Sequence, residues 1–164
     1  MQKGDIFMLK SYVLAFLISM VPLIELRGGV PVAMTLGIPG PVAIMVCGIG
    51  NMLPVPFIYL FARKVLIWGS TKPYIGSLFS KLLTKGEKAG QKLANTASRK
   101  GLFIALLLFV GIPLPGTGAW TGTLAASLLN MGWKSTTGAV SLGVVLAGII
   151  MATVSSLGLH IFGL

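Results

Sequence analysis

From Ser11 to Ala62 nearly every side chain is compatible with hydrocarbon, and the only two that ionise are Glu25 and Arg27. Both fall in the run Glu25-Leu26-Arg27-Gly28-Gly29-Val30-Pro31. A charge in hydrocarbon costs several kcal/mol unless it is paired or wetted, so such residues mark functional sites by default. Two glycines and a proline in the same run weigh against a continuous helix, and a break is expected from Glu25 to Pro31.

The rest of the chain fits a bilayer. Hydrophobic residues make up 55% of the 164 residues, mean hydropathy is +0.93, and charged residues are 10%, against about 25% in a soluble domain. The thirteen basic residues outnumber the three acidic ones, and nine of them (Arg63, Lys64, Lys72, Lys81, Lys85, Lys88, Lys92, Arg99 and Lys100) fall in one central segment. That asymmetry places the segment in the cytoplasm and the chain, as a multi-pass protein, in the cell membrane. Nucleic acid is not an expected partner, because no aromatic residues alternate with the lysines. Cys47 stands alone in an apolar run and reads as a small buried hydrophobe. Lys3 and Lys10 followed by Ser11 to Ile24 resemble a signal peptide, but without a small-x-small cleavage site the segment is expected to stay in place.

Run lengths set the architecture. Crossing about 30 Å of hydrocarbon takes roughly 20 helical residues. Ser11 to Ile24 and Val30 to Ile38 fall short, so they read as a re-entrant hairpin with Glu25 to Pro31 at its tip. Gly37-Ile38-Pro39-Gly40-Pro41 is a turn, and Val42 to Ala62 is long enough to span, interrupted by Asn51, Pro54 and Pro56. The second half repeats the order: Gly101 to Ile112, a break at Pro113-Leu114-Pro115-Gly116-Thr117-Gly118, Ala119 to Met131, and a span from Thr137 to Leu159. The expected fold is therefore all-α: an inverted repeat of two re-entrant hairpins, each followed by a transmembrane helix. One membrane domain divides into a first half (1–62), a basic linker (63–100) and a second half (101–164). Oppositely inserted hairpins with broken tips at the midplane are the plan of many secondary transporters. Short tilted spans are the alternative.

In the linker, Lys81, Lys85, Lys88, Lys92 and Arg99 form one stripe at helical spacing beside Ile75, Leu78, Leu82, Ala89 and Leu93. An amphipathic helix on anionic headgroups and a solvated basic linker both fit that pattern. Gly118, Gly122 and Ala126, and Ala139, Gly143 and Ala147, are small residues four apart and read as helix contacts.

Arg27 supplies a fixed charge with a planar fork of donors, and Gly28, Gly29 and the start of the following half-helix supply exposed amides, which together suit an anion. Glu25 is the protonatable neighbour; an ion pair with Arg27 that merely closes a loop is the competing reading. Pro31 and Asn51 complete the first half of the candidate substrate site. Pro113, Pro115, Gly116, Thr117 and Gly118 offer freed carbonyls, amides and a hydroxyl in the second. An enzyme is not expected: His160 is the sole histidine, and neither a catalytic triad nor a metal set forms around it. No cofactor or metal is expected.

Glu25-Leu26-Arg27-Gly28-Gly29-Val30-Pro31, Gly50-Asn51-Met52-Leu53-Pro54-Val55-Pro56 and Pro113-Leu114-Pro115-Gly116-Thr117-Gly118-Ala119-Trp120 resemble the motifs of the putative small multidrug export proteins of bacteria and archaea. That family is usually placed in the wider DedA superfamily. The resemblance implies two re-entrant hairpins of opposite orientation and transport across the cell membrane; DedA relatives are implicated in flipping polyprenyl-phosphate lipid carriers. DedA proteins generally carry further acidic and arginine residues in their hairpins, whereas here only Glu25 and Arg27 stand there. Three functions follow. The first is a secondary transporter or flippase for an anionic lipid carrier such as polyprenyl phosphate, with Arg27 and hairpin amides on the head group. The second is an ion-coupled exporter of small amphipathic drugs. The third is a non-transporting module that organises membrane lipids. A homodimer is the expected assembly.

Overall fold

A computed structural model of the protein describes residues 3–81, 83–85, 88 and 98–162. Lys92, Leu82, Ala89 and Leu93 of the expected amphipathic helix lie outside the described residues. The described chain is helical, with no strand in it. Among the described residues, seven helices are bounded: α1 (Lys3–Met20), α2 (Glu25–Thr35), α3 (Gly40–Met52), α4 (Val55–Ser70), α5 (Arg99–Gly111), α6 (Ala119–Leu128) and α7 (Trp133–Phe162).

The first turn falls earlier than the sequence suggests. Glu25 to Pro31 is not a loop: all seven residues lie in α2, and the chain reverses at Val21 to Ile24 instead. Pro22 stops α1, and Leu23 (φ 73°) and Glu25 (φ 51°) take the left-handed conformation that closes the turn. The glycines of the motif serve packing rather than reversal. A Cβ at Gly29 would run into the Ser19 hydroxyl and lie 3.1 Å from the Cys47 sulfur, so glycine there is what lets α2 approach α1 and α3. The Gly28 N–H is used within the helix turn, donating to the Ile24 carbonyl at 3.1 Å.

α3 and α4 act as one apolar helix from Gly40 to Ser70, 31 residues or about 46 Å long, jointed at Leu53 and Pro54. Bonds from Leu53 N–H to Ile49 O (3.2 Å) and from Ile58 N–H to Pro54 O (2.9 Å) flank the joint. Pro54 and Pro56 donate nothing, which leaves the Gly50 and Met52 carbonyls without their helical donors. α7, at 30 residues, is the second helix of membrane-crossing length and composition. α1 runs alongside α3 so closely that a Cβ at Gly50 would sit 2.5 Å from the Phe16 carbonyl oxygen.

Packing is reciprocal between the halves. The first helix of each hairpin lies on its own long helix, α1 on α3 and α5 on α7, while the second also reaches across, α2 onto α7 as well as α3, and α6 onto α4. The small-residue rows serve these crossings: a Cβ at Gly122 or at Gly143 would strike Val110, which each glycine admits from one side, and Ala126, Ala139 and Ala147 are buried. Gly118 departs from that row and faces Glu25. Cys47 is fully buried in the core with Val30, Ala43 and Val144. Outward, α1, α4 and α7 expose Leu17, Phe57, Leu60, Leu142 and Ile149 among many large apolar side chains, far more than water tolerates on a monomer.

Candidate functional site

The turn at Val21 to Ile24 and the loop from Ile112 to Gly118 meet, and Glu25 and Arg27 make the junction. Glu25 is 4% exposed, and its carboxylate accepts hydrogen bonds from the Ala119 N–H at 3.2 Å and the Trp120 N–H at 3.1 Å. Those are the first two amides of α6, which have no partner inside their own helix. Gly118 (φ 140°) precedes them and has no side chain with which to cap the helix; a Cβ there would also collide with the Glu25 carboxylate. A residue 94 positions away in the chain thus caps α6, its negative charge against the positive end of the helix.

Arg27 does the complementary task. Its guanidinium donates to the Leu114 carbonyl, to the Thr117 hydroxyl at 2.6 Å and, at 3.4 Å, to the Ile112 carbonyl. These acceptors lie just past the C-terminus of α5, where carbonyls are left without helical donors. Thr117 Oγ1 also lies 3.0 Å from the Ile112 carbonyl and 2.9 Å from the Leu114 carbonyl, so the hydroxyl ties the loop to itself while accepting from Arg27. Each charge finds its hydrogen-bond partners in the second hairpin rather than in the other charge. A carboxylate at a helix start and a guanidinium at a helix end each contribute about 0.3–2 kcal/mol through the helix dipole, beyond the bonds themselves.

Beside this junction lies a groove of about 910 Å³. The turn residues Val21, Pro22 and Leu23 form one wall, and α4 from Phe57 to Leu66 forms the second. Gly116, Thr117, Trp120, Thr121 and Leu124 form the third, and Glu25 is the one ionisable side chain among its lining. The walls are apolar, so the space fits an amphipathic molecule. The Trp120 indole N–H, which belongs to this wall, is buried and has no hydrogen-bond partner among the described residues.

Of the residues singled out in the sequence, Glu25, Arg27, Thr117 and Gly118 come together at the junction, and Gly116 joins Thr117 on the groove wall. Gly28, Gly29 and Pro31 sit inside α2, where Gly29 admits α1 and α3 and Gly28 makes room for the Ile24 side chain of the preceding turn; they do not offer a loop of free amides. Pro113 and Pro115 shape the second loop without lining the groove, and Asn51, 2% exposed with its carbonyl oxygen unpartnered, lies at the foot of α3 rather than on the groove wall. Phe57, Phe61 and Thr121 went unnoticed because nothing in an apolar helix announces which face borders a cavity. Pro22 was the available signal for the true turn.

The fold and site define an all-helical protein with two helices of membrane-crossing length and a polar junction buried between two helical hairpins. Residues 25–150 match the model of the family described as "Putative small multi-drug export protein", and the chain belongs to that family. No curated protein and no solved structure matches the chain.

Proposed function

We propose that this chain is a non-enzymatic secondary transporter of the cell membrane that exports small amphipathic molecules, with their apolar bodies in the groove and Glu25 at its polar end. The observation that carries the reading is the groove itself: about 910 Å³ of apolar space with a single carboxylate at the meeting point of two hairpin tips. The family description, a small multidrug exporter, agrees with it. The hairpins are re-entrant in this reading. Met20 at the end of α1 borders the same groove as Leu53 at the joint, and a Cβ at Gly111, beside the second tip, would strike Leu146, near the middle of α7. The reciprocal packing of the hairpins supports an inverted repeat, the arrangement in which discontinuous helices mark the transport site. The basic central segment faces the cytoplasm, and the outward apolar faces meet lipid or a second copy.

The same groove favours a second reading. Its wall from Leu53 at the joint to Leu66 in α4 extends about 20 Å, enough for a lipid chain, so a flippase for an anionic lipid carrier, the role that the resemblance to DedA proteins implies, fits the same space. In that reading Arg27 would have to leave its loop partners to reach a phosphate. Proteoliposomes decide between the two. Ala62→Trp, which fills the groove, is expected to stop efflux of a fluorescent amphipathic cation. Undiminished efflux by that variant removes the groove from the mechanism. Flipping of a labelled polyprenyl phosphate by the unmodified protein, without cation efflux, establishes the second reading instead.

A further inference from the structure

α4 ends in a cationic, aromatic collar of which the transport reading uses only Phe61, a residue that also borders the groove. Phe61, Lys64, Trp68 and Lys72 follow one another at spacings of three, four and four along one face of the helix and just past its end. The Lys64 ammonium lies 5.6 Å from the centre of the Phe61 ring, and the Lys72 ammonium lies 4.6 Å from the centre of the Trp68 ring. Both rings are more than half exposed, so each lysine is held on an aromatic platform at the surface.

The chain then folds back. The Gly76 N–H donates to the Lys72 carbonyl at 2.8 Å, a Cβ at Gly76 would sit 2.7 Å from the Ser70 carbonyl oxygen, and Gly69 leaves room for the Phe79 ring. This packing leaves Tyr74 97% exposed and Leu78 59% exposed on the outside of the turn. Neither Lys64 nor Lys72 has a carboxylate partner among the described residues, where the acids are Asp5 in α1 and Glu25, buried at the hairpin junction. Arg63, immediately before Lys64, is already engaged with the Asn130 side chain at 2.5 Å.

Exposed Trp and Tyr beside unneutralised lysines, at the end of a membrane-length helix, match the headgroup layer and not bulk water. We propose that this collar is a docking surface for anionic phospholipid, with Lys64 and Lys72 on the lipid phosphates and Trp68 and Tyr74 seated among the headgroups. The charge complementarity is one-sided, because a zwitterionic lipid would bring its own cation to two lysines that have no counter-charge among the described residues. Each lysine at such a surface favours anionic lipid about fivefold, the equivalent of about 1 kcal/mol.

The test is native mass spectrometry of the whole purified protein equilibrated with equal phosphatidylglycerol and phosphatidylcholine. The protein is expected to retain phosphatidylglycerol preferentially. K64Q/K72Q should lose at least fivefold of that preference, K64R/K72R should keep it, and K81Q/K85Q should change it little. Unchanged preference in K64Q/K72Q overturns the proposal. So does equal loss in K81Q/K85Q, which assigns the effect to diffuse charge, and so does an unmodified protein that retains both lipids alike. These surface substitutions remove no buried contact, and retained helicity by circular dichroism confirms that the variants are folded.

Discussion

Replacing Glu25 by alanine strands the first two amides of α6. Both donate to the carboxylate, Ala119 is 0% exposed, and Gly118 offers no side chain as a substitute. A buried donor left unpaired costs about 1–3 kcal/mol, and loss of the charge at the helix start adds about 0.3–1 kcal/mol. Trp120 borders the groove, where water can reach its amide, so the lower half of the range applies to that bond. The sum is about 2–6 kcal/mol of lost hairpin-to-hairpin stability. Even 2 kcal/mol corresponds to roughly thirtyfold in a local opening equilibrium. Hydrogen exchange of the Ala119 and Trp120 amides in nanodiscs reads that equilibrium directly. Glu25→Ala is expected to speed exchange there at least thirtyfold while α7 amides stay protected. Glu25→Gln, which keeps one acceptor oxygen for two donors, should fall between it and the native protein. Unchanged protection of Ala119 and Trp120 in Glu25→Ala would refute the capping argument.

Other consequences follow from the same contacts. Arg27→Lys keeps the charge but loses the fork that reaches Leu114 and Thr117 together, and a loss of about 1–3 kcal/mol in denaturant titrations is expected, with Thr117→Val losing less and Thr117→Ser almost nothing. Gly29→Ala should lower the thermal midpoint because its Cβ meets Ser19, and adding Ser19→Ala should recover most of the loss; no recovery would mean that the clash lies elsewhere. Gly118→Ala faces both a left-handed φ and the Glu25 carboxylate, so it should reproduce the exchange phenotype of Glu25→Ala without touching the acid.

The second hairpin tip was legible because turning residues perform the turn: Gly116 (φ 81°) and Gly118 (φ 140°) carry left-handed or extended conformations that side chains resist, and Pro113 and Pro115 stop α5 from continuing. The first tip was misplaced by the same rule. Gly29 is spent on close approach between helices and Gly28 on room for the Ile24 side chain, whereas the actual reversal uses Pro22 with two non-glycine residues in the left-handed region, which composition does not betray. Glu25 and Arg27 stood out as charges out of place in an apolar run. Apart from the Thr117 hydroxyl, their partners could not be read, because they are backbone amides and carbonyls more than 80 residues away, and backbone groups leave no mark in a sequence. The groove was invisible for a related reason: its walls are ordinary apolar side chains, distinguished only by what the two tips fail to fill.

Depth of the two tips is the most direct test of the account. With Cys47 replaced by alanine, spin labels at Leu23 and at Leu114, which are 84% and 56% exposed, report their immersion through relative accessibility to oxygen and to a water-soluble nickel chelate. Both labels should read as deep in the hydrocarbon and at similar depth, because the charged junction joins the tips there. A label at either position that reads as lying at the headgroups, or beyond them, would contradict it.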